Sequence, residues 1–230
     1  MTVKTDEMGM RIGRRAICFG LPLMLAACAG DRMSTTSSSL SFADQSVANY
    51  GPLNDERFPI EAMDTSKIDP EWLRQEVDYR TPYPAGTIVV DPGARHLYLI
   101  RENGKALRYG VGVGREGFGW SGEAVIKRKS EWPTWTPPVE MQARDKEAAK
   151  YAGGMPGGLN NPLGARALYL YQGDRDTMYR LHGNNDPSSI GTAVSSGCIR
   201  LFNHDIIDLY RRVPTGTRVI VLPTNGKGTA

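Results

Sequence analysis

From residue 84 onward, short apolar runs alternate with clusters of Gly, Pro, Asn and Asp. Thr87-Ile-Val-Val90 runs into Asp91-Pro-Gly93, His96–Ile100 into Glu102-Asn-Gly104, and Leu107–Val111 follows. Runs rich in β-branched and aromatic residues between turn formers predict antiparallel strands. The same pattern recurs at Ala124–Lys129, Arg166–Tyr171, Tyr179–His182 and Arg218–Leu222. Two stretches carry helical spacing instead. Val139–Ala152 does so loosely. Asn203–Val213 is firmer, because Ile206, Ile207 and Tyr210 share a face, Asn203 can cap the start and Pro214 stops the end. The expected class is mainly β with a few helices, without internal repeats.

Upstream of residue 84 the pattern changes. Arg11, Arg14 and Arg15 precede an apolar run, Ala16–Ala27, broken only by Gly20 and Pro22. A spanning helix needs roughly 20 apolar residues. The shorter run behind a basic stretch reads as an export signal over residues 1–27. Leu25-Ala-Ala-Cys28 closes it and resembles the lipobox of bacterial lipoproteins, which implies cleavage before Cys28 and a lipid on its thiol. The polar stretch Ser34–Ser39 cannot offset its ordering entropy by burial and reads as a tether. If residues 29–84 were all flexible, their reach would be roughly 40 Å. Asp69-Pro70 has the form of a cap followed by the first position of a helical turn, which predicts that Trp72 docks on the domain. The expected organisation is a signal at 1–27, a lipidated tether and docking segment at 28–84, a domain at 85–224 and a tail at 225–230.

At 230 residues and 40% apolar, the chain can bury one ordinary core. The formal charge of +3 falls close to neutral once the basic signal is removed, which leaves no electrostatic footprint for nucleic acid. Of three cysteines, Cys18 lies in the expected signal and Cys28 would take the lipid that the lipobox resemblance implies. Cys198 stands alone in an oxidising compartment, either buried and inert or in use.

Most motif candidates fail. Gly112-Val-Gly-Arg-Glu-Gly117 spells a dinucleotide fingerprint, but Phe118-Gly-Trp-Ser-Gly122 follows where a helix must open. These glycines are expected to shape a strand end and a loop. Histidines 96, 182 and 204 are spread out and no paired-cysteine spacing occurs, so no metal or other cofactor is expected, and His96 and His204 read as structural. No lysine follows a serine at the spacing of penicillin-type enzymes.

The segment Tyr179–Leu201 is different. A histidine, His182, ends a predicted strand, a polar loop follows, and Ser195-Ser-Gly-Cys198-Ile-Arg200 leads toward the second helix. An imidazole can take a thiol proton and create the thiolate nucleophile. Backbone N–H groups of Ser196, Gly197 and Cys198 can converge on an oxyanion. Arg200 offers a planar cation for a carboxylate. Spacing alone leaves a Cys–His pair and an inert cysteine both open.

The segment resembles the signature of the L,D-transpeptidases, the cysteine enzymes of peptidoglycan. Cys198 follows His182 by 16 positions, and Ser195, Gly197, Cys198, Ile199 and Arg200 match the family pattern. Gly86–Asp91, Asn161–Gly164 and Arg166–Leu170 agree as well, so the likeness covers residues 84–223. Ser196 departs from it, standing where most members carry a second histidine. The resemblance implies a β-sandwich-like catalytic domain with the cysteine at the end of a groove. It implies Cys198 as nucleophile, His182 as base and the Gly183 carbonyl as the group that orients the imidazole. The implied substrate is a tetrapeptide stem of peptidoglycan, with a second stem, an envelope protein or water completing the reaction. A hydrolase on the same stem and a non-catalytic wall-binding lipoprotein are the alternatives. The expected place is the periplasm, anchored by lipid, with Ala29 favouring the outer over the inner membrane.

Overall fold

The computed structural model describes residues 50–114, 120–195 and 198–224. The segment expected to be a signal, Cys28, the Ser-rich stretch expected to be a tether and the tail from 225 onward lie outside the described residues.

Among the described residues eleven strands form one sheet. In chain order they are β1 (Gln75–Asp78), β2 (Ile88–Asp91), β3 (His96–Ile100), β4 (Lys105–Gly110), β5 (Gly112–Gly114) and β6 (Gly122–Glu131). Then come β7 (Arg166–Gln172), β8 (Arg175–His182), β9 (Ala193–Ser195), β10 (Ile199–Arg200) and β11 (Arg218–Val221). Across the sheet the order is β1-β4-β3-β2-β11-β6-β7-β8-β10-β5-β9. The strands at positions two and ten of that order, β4 and β5, are joined through Val111 alone. One continuous backbone therefore belongs to both arms of the sheet, and the sheet must curl around its contents. The core confirms it: Leu97, Leu107 and Tyr109 of one arm pack in the same cluster as Leu168, Leu181 and Ile199 of the other.

Helix α3 (Asn203–Arg212) sends Ile206 and Leu209 into that cluster. Two short helices, α1 (Val139–Arg144) and α2 (Lys146–Ala149), stand where the pattern predicts a single segment. Asp145 separates them. Its backbone is extended, and its carboxylate accepts from the N–H groups of Glu147 and Ala148, so one residue ends α1 and caps α2.

Two other expectations are corrected. The sheet is mixed: β11 runs parallel to β2, β10 to β8 and β5 to β9. Turn residues report only hairpins, whereas these pairs join strands that are not successive in the chain. Asn203 is the first helical residue, and Phe202 holds the cap position without a side-chain bond. The Asn203 side chain is engaged elsewhere, beside the site described below.

Residues 50–73 lie on the domain as a strap. Tyr50, Ile190 and Phe202 form a buried cluster, with Trp72 and Leu73 packed against it. The turn at Pro70–Trp72 forms with Asp69 as its cap, the carboxylate accepting from Glu71 N–H at 2.9 Å. His96 and His204 hold this strap through their Nε2 atoms, at 3.3 Å from the Glu71 carbonyl and 2.9 Å from the Gly51 carbonyl. No helix among the described residues is long and apolar enough to cross a membrane.

Candidate active site

His182 is the last residue of β8, and β10 begins one residue after Cys198. The parallel register sets Ile199 beside Leu181 and Arg200 beside His182. Side chains alternate along a strand. Leu181 and Ile199 therefore turn into the core together, while His182, Cys198, Arg200 and Arg180 turn to the other face, where all four line one groove of about 890 Å³.

His182 is buried, and its Nδ1 lies 2.6 Å from the Gly183 carbonyl oxygen. A carbonyl only accepts, so Nδ1 carries the proton and Nε2 of the neutral ring is left as the basic nitrogen. Burial pushes the imidazole down to about 4; backbone hydrogen bonds to Gly183 and Leu163 oppose this, and the charges of Arg200 and Arg180 reinforce it. Cys198 is partly exposed at the groove, yet burial of its thiol raises its pKa, with the Arg180 and Arg200 cations pulling the other way. At neutral pH the pair rests as thiol and neutral imidazole. The arrangement suits proton transfer during attack, not a standing thiolate–imidazolium pair.

The turn after His182 is fixed from below. Gly164, at φ +61°, lies so close that a Cβ there would strike the Asn203 Oδ1, the Asn184 N–H and the Gly183 carbonyl carbon. Asn203 Oδ1 accepts from Ala165 N–H at 2.9 Å and Asn184 N–H at 3.2 Å, tying the start of α3 to both segments. The Leu201 N–H then donates to the His182 carbonyl at 2.9 Å. The imidazole is thus held by a network of backbone contacts, which is what precise positioning of a base requires.

Arg200 is partly buried. Burial weakens its hold on the proton, while Asp186 and Cys198 strengthen it. Three further residues at the groove belong to no motif: Arg128, Tyr169 and Arg180. Arg180 pairs with both oxygens of Asp176, at 2.7 and 2.9 Å. Its parity with His182 along one strand is the signal that could have found it. Ser196 and Gly197 lie outside the described residues, as does Cys28. Among the described residues no group of histidines, cysteines and carboxylates could hold a metal ion.

A cysteine, a buried neutral histidine and guanidinium groups lining one groove have the chemistry of an acyl-transfer class of site. The chain belongs to the L,D-transpeptidase catalytic domain family of the YkuD type, whose model matches residues 85–221. It is 33% identical over 149 residues to the probable L,D-transpeptidase YbiS of Escherichia coli, covering 63% of this chain and 46% of that protein. With the probable L,D-transpeptidase ErfK/SrfK of E. coli it shares 35% over 141 residues, covering 59% and 43%. The chain thus spans less than half the length of these relatives. Among solved structures it resembles a Brucella melitensis protein described as a probable carnitine operon oxidoreductase. That match is 47% identical and covers 69% of this chain and 99% of the other, with a TM-score of 0.48.

Proposed function

We propose that this protein is a periplasmic L,D-transpeptidase of peptidoglycan, with Cys198 as nucleophile and His182 as general base. The observation that carries the reading is the His182 Nδ1–Gly183 carbonyl bond, which leaves Nε2 as the basic nitrogen of a buried neutral imidazole, on the strand that pairs with the one following Cys198. In the reaction, Nε2 takes the thiol proton as sulfur attacks the carbonyl of the third residue of a tetrapeptide stem. The tetrahedral intermediate collapses to a thioester, and the same proton leaves with the D-alanine amine. An amine from a second stem or an envelope protein then attacks the thioester, giving a cross-link or an attachment and freeing the thiol. Backbone N–H groups of Ser196, Gly197 and Cys198 are the expected oxyanion donors, and Arg200 the expected partner for a substrate carboxylate.

The anchor belongs to the same proposal. A lipid on Cys28 would hold the domain within reach of a membrane, the outer one being favoured by Ala29. Neither a cofactor nor nucleic acid takes part.

The test is incubation of the purified full chain with tetrapeptide stems, followed by mass spectrometry. Wild type is expected to release D-alanine and form dimers, and Cys198→Ala to do neither. Shortened monomers without dimers would make the protein a hydrolase on the same stem. Stems bound without turnover would make it a wall-binding protein, and the mechanism would fall.

A further inference from the structure

Four neighbouring strands place four residues in one row. The β6–β7 register sets Arg128 beside Tyr169, and the β7–β8 register sets Tyr169 beside Arg180. Because Ile199 lies beside Leu181 in the parallel β8–β10 pair, Cys198 falls in line with Arg180. Arg128, Tyr169, Arg180 and Cys198 all line the same groove. Strands lie about 4.8 Å apart, so the Arg128 backbone stands roughly 14 Å along the row from Cys198.

The two arginines are not equivalent. The Arg128 guanidinium carbon lies 3.4 Å from the Tyr169 ring centroid and that of Arg180 lies 4.6 Å from it. Arg180 is already neutralised by Asp176. Arg128 is exposed, and among the described residues no carboxylate lies at ion-pair distance from it; its charge acts on Asp176 from further away. A guanidinium lying flat on a ring keeps its in-plane N–H groups free, in the fork that matches a carboxylate.

The backbone is irregular just where this row forms. The β6–β7 ladder shifts between Ile126 and Arg128, and the β7–β8 ladder shifts between Tyr169 and Tyr171. Met178, within the second irregular stretch, holds φ +64°. Strand parity alone would put Arg128 on the face of Ala124 and Ile126, both buried in the core. The shift turns it to the groove instead, as irregularities beside binding sites do.

We propose that Arg128, held over the Tyr169 ring, determines donor specificity by binding a carboxylate of the acyl donor remote from the bond that is cleaved. The donor lies across the strands from Cys198 toward β6. The guanidinium sits over Tyr169, two to three strand spacings along the row, and its partner carboxylate lies about two extended residue lengths upstream of the attacked carbonyl. This rests on the reading of Cys198 as an acyl-transfer nucleophile.

The experiment compares wild type, Arg128→Ala and Arg128→Lys on two tetrapeptide stems, one with the second-residue carboxylate free and one with it amidated. Alkylation of Cys198 by iodoacetamide, small and neutral, reports the integrity of the site. Arg128→Ala should lower kcat/KM for the free-carboxylate stem about tenfold or more, chiefly through KM. It should leave the amidated stem and the alkylation rate unchanged, and Arg128→Lys should recover only part of the loss. Equal losses on both stems, or no loss on the carboxylate stem, would overturn the assignment. If wild type turns over neither stem, the acyl-transfer reading fails first. Calorimetry on Cys198→Ala with and without Arg128→Ala then decides the subsite alone: a tenfold weaker Kd for the carboxylate stem upholds it, and an unchanged Kd removes it.

Discussion

At His182, burial and two nearby guanidinium groups act in one direction and backbone hydrogen bonds to Gly183 and Leu163 in the other, and burial wins. In the proposed mechanism the neutral ring is the base, so activity should persist until the imidazole takes a proton near pH 4, not near the ordinary value of 6.5. The rate of Cys198 acylation, followed from pH 3.5 to 8 with circular dichroism to verify folding, should show its acidic limb close to 4. A limb centred near 6.5 would mean that the ring is far more solvated than its position implies. The same shift has a consequence for stability, with a definite sign. Between about 4 and 6.5 the unfolded chain binds a proton at this residue that the native chain refuses. His182 therefore contributes stability above that window and loses it as pH falls through it.

The elements around the site depend on a strap that is not itself regular structure. Glu56 reaches the buried Arg166 with both oxygens at 2.7 Å and accepts from Trp132 Nε1 at 3.2 Å. Arg166 opens β7, the strand that carries Tyr169, and its carbonyl accepts from Gly183 N–H at 3.0 Å. Removing one charge of a buried pair leaves the other uncompensated and costs about 3–5 kcal/mol. Glu56→Gln keeps the shape and removes the charge, so a denaturant titration should show a loss in that range. A loss below about 1 kcal/mol would mean that Glu131, 3.9 Å from Arg166, replaces the missing partner. A second buried set ties the strap to α3: the Tyr50 hydroxyl donates to Asp205 and accepts from Arg74 N–H, while the Arg74 guanidinium faces Asp205 and Asp208.

Across the whole molecule, the site exists because the sheet curls. Val111 passes the chain from β4 on one arm to β5 on the other, and β5 then pairs with β10, which carries Arg200. Gly112 permits the closure, since a Cβ there would strike the Ser189 carbonyl in the loop between His182 and Cys198. Backbone cannot yield as a flexible side chain can. Gly112→Ala should cost about 1–3 kcal/mol, the usual range for overpacking, and should slow Cys198 acylation more than the stability loss explains. Calorimetric Tm and acylation rate on the same preparation check both; an unchanged rate would separate the closure from the site.

By itself the sequence determined the elements whose signals are local. The strands at His96–Ile100 and Arg218–Val221, the turn capped by Asp69, the α3 helix and the His182–Cys198 segment all declare themselves through alternation, turn formers or motif. Tertiary structure decided what local signals do not carry. Strands β9 and β10 are too short to show a period, and they exist because β5 and β8 supply partners. Asn203 has the chemistry of a cap, but Ala165 and Asn184 offer N–H groups that compete for its oxygen, so it serves the histidine turn instead. Arg128 has the parity of a core position and reaches the groove only because a register shift reverses its face. A two-residue period is read from one strand at a time, whereas a register shift is a property of two strands paired, and that pairing is set by the packing of the whole sheet.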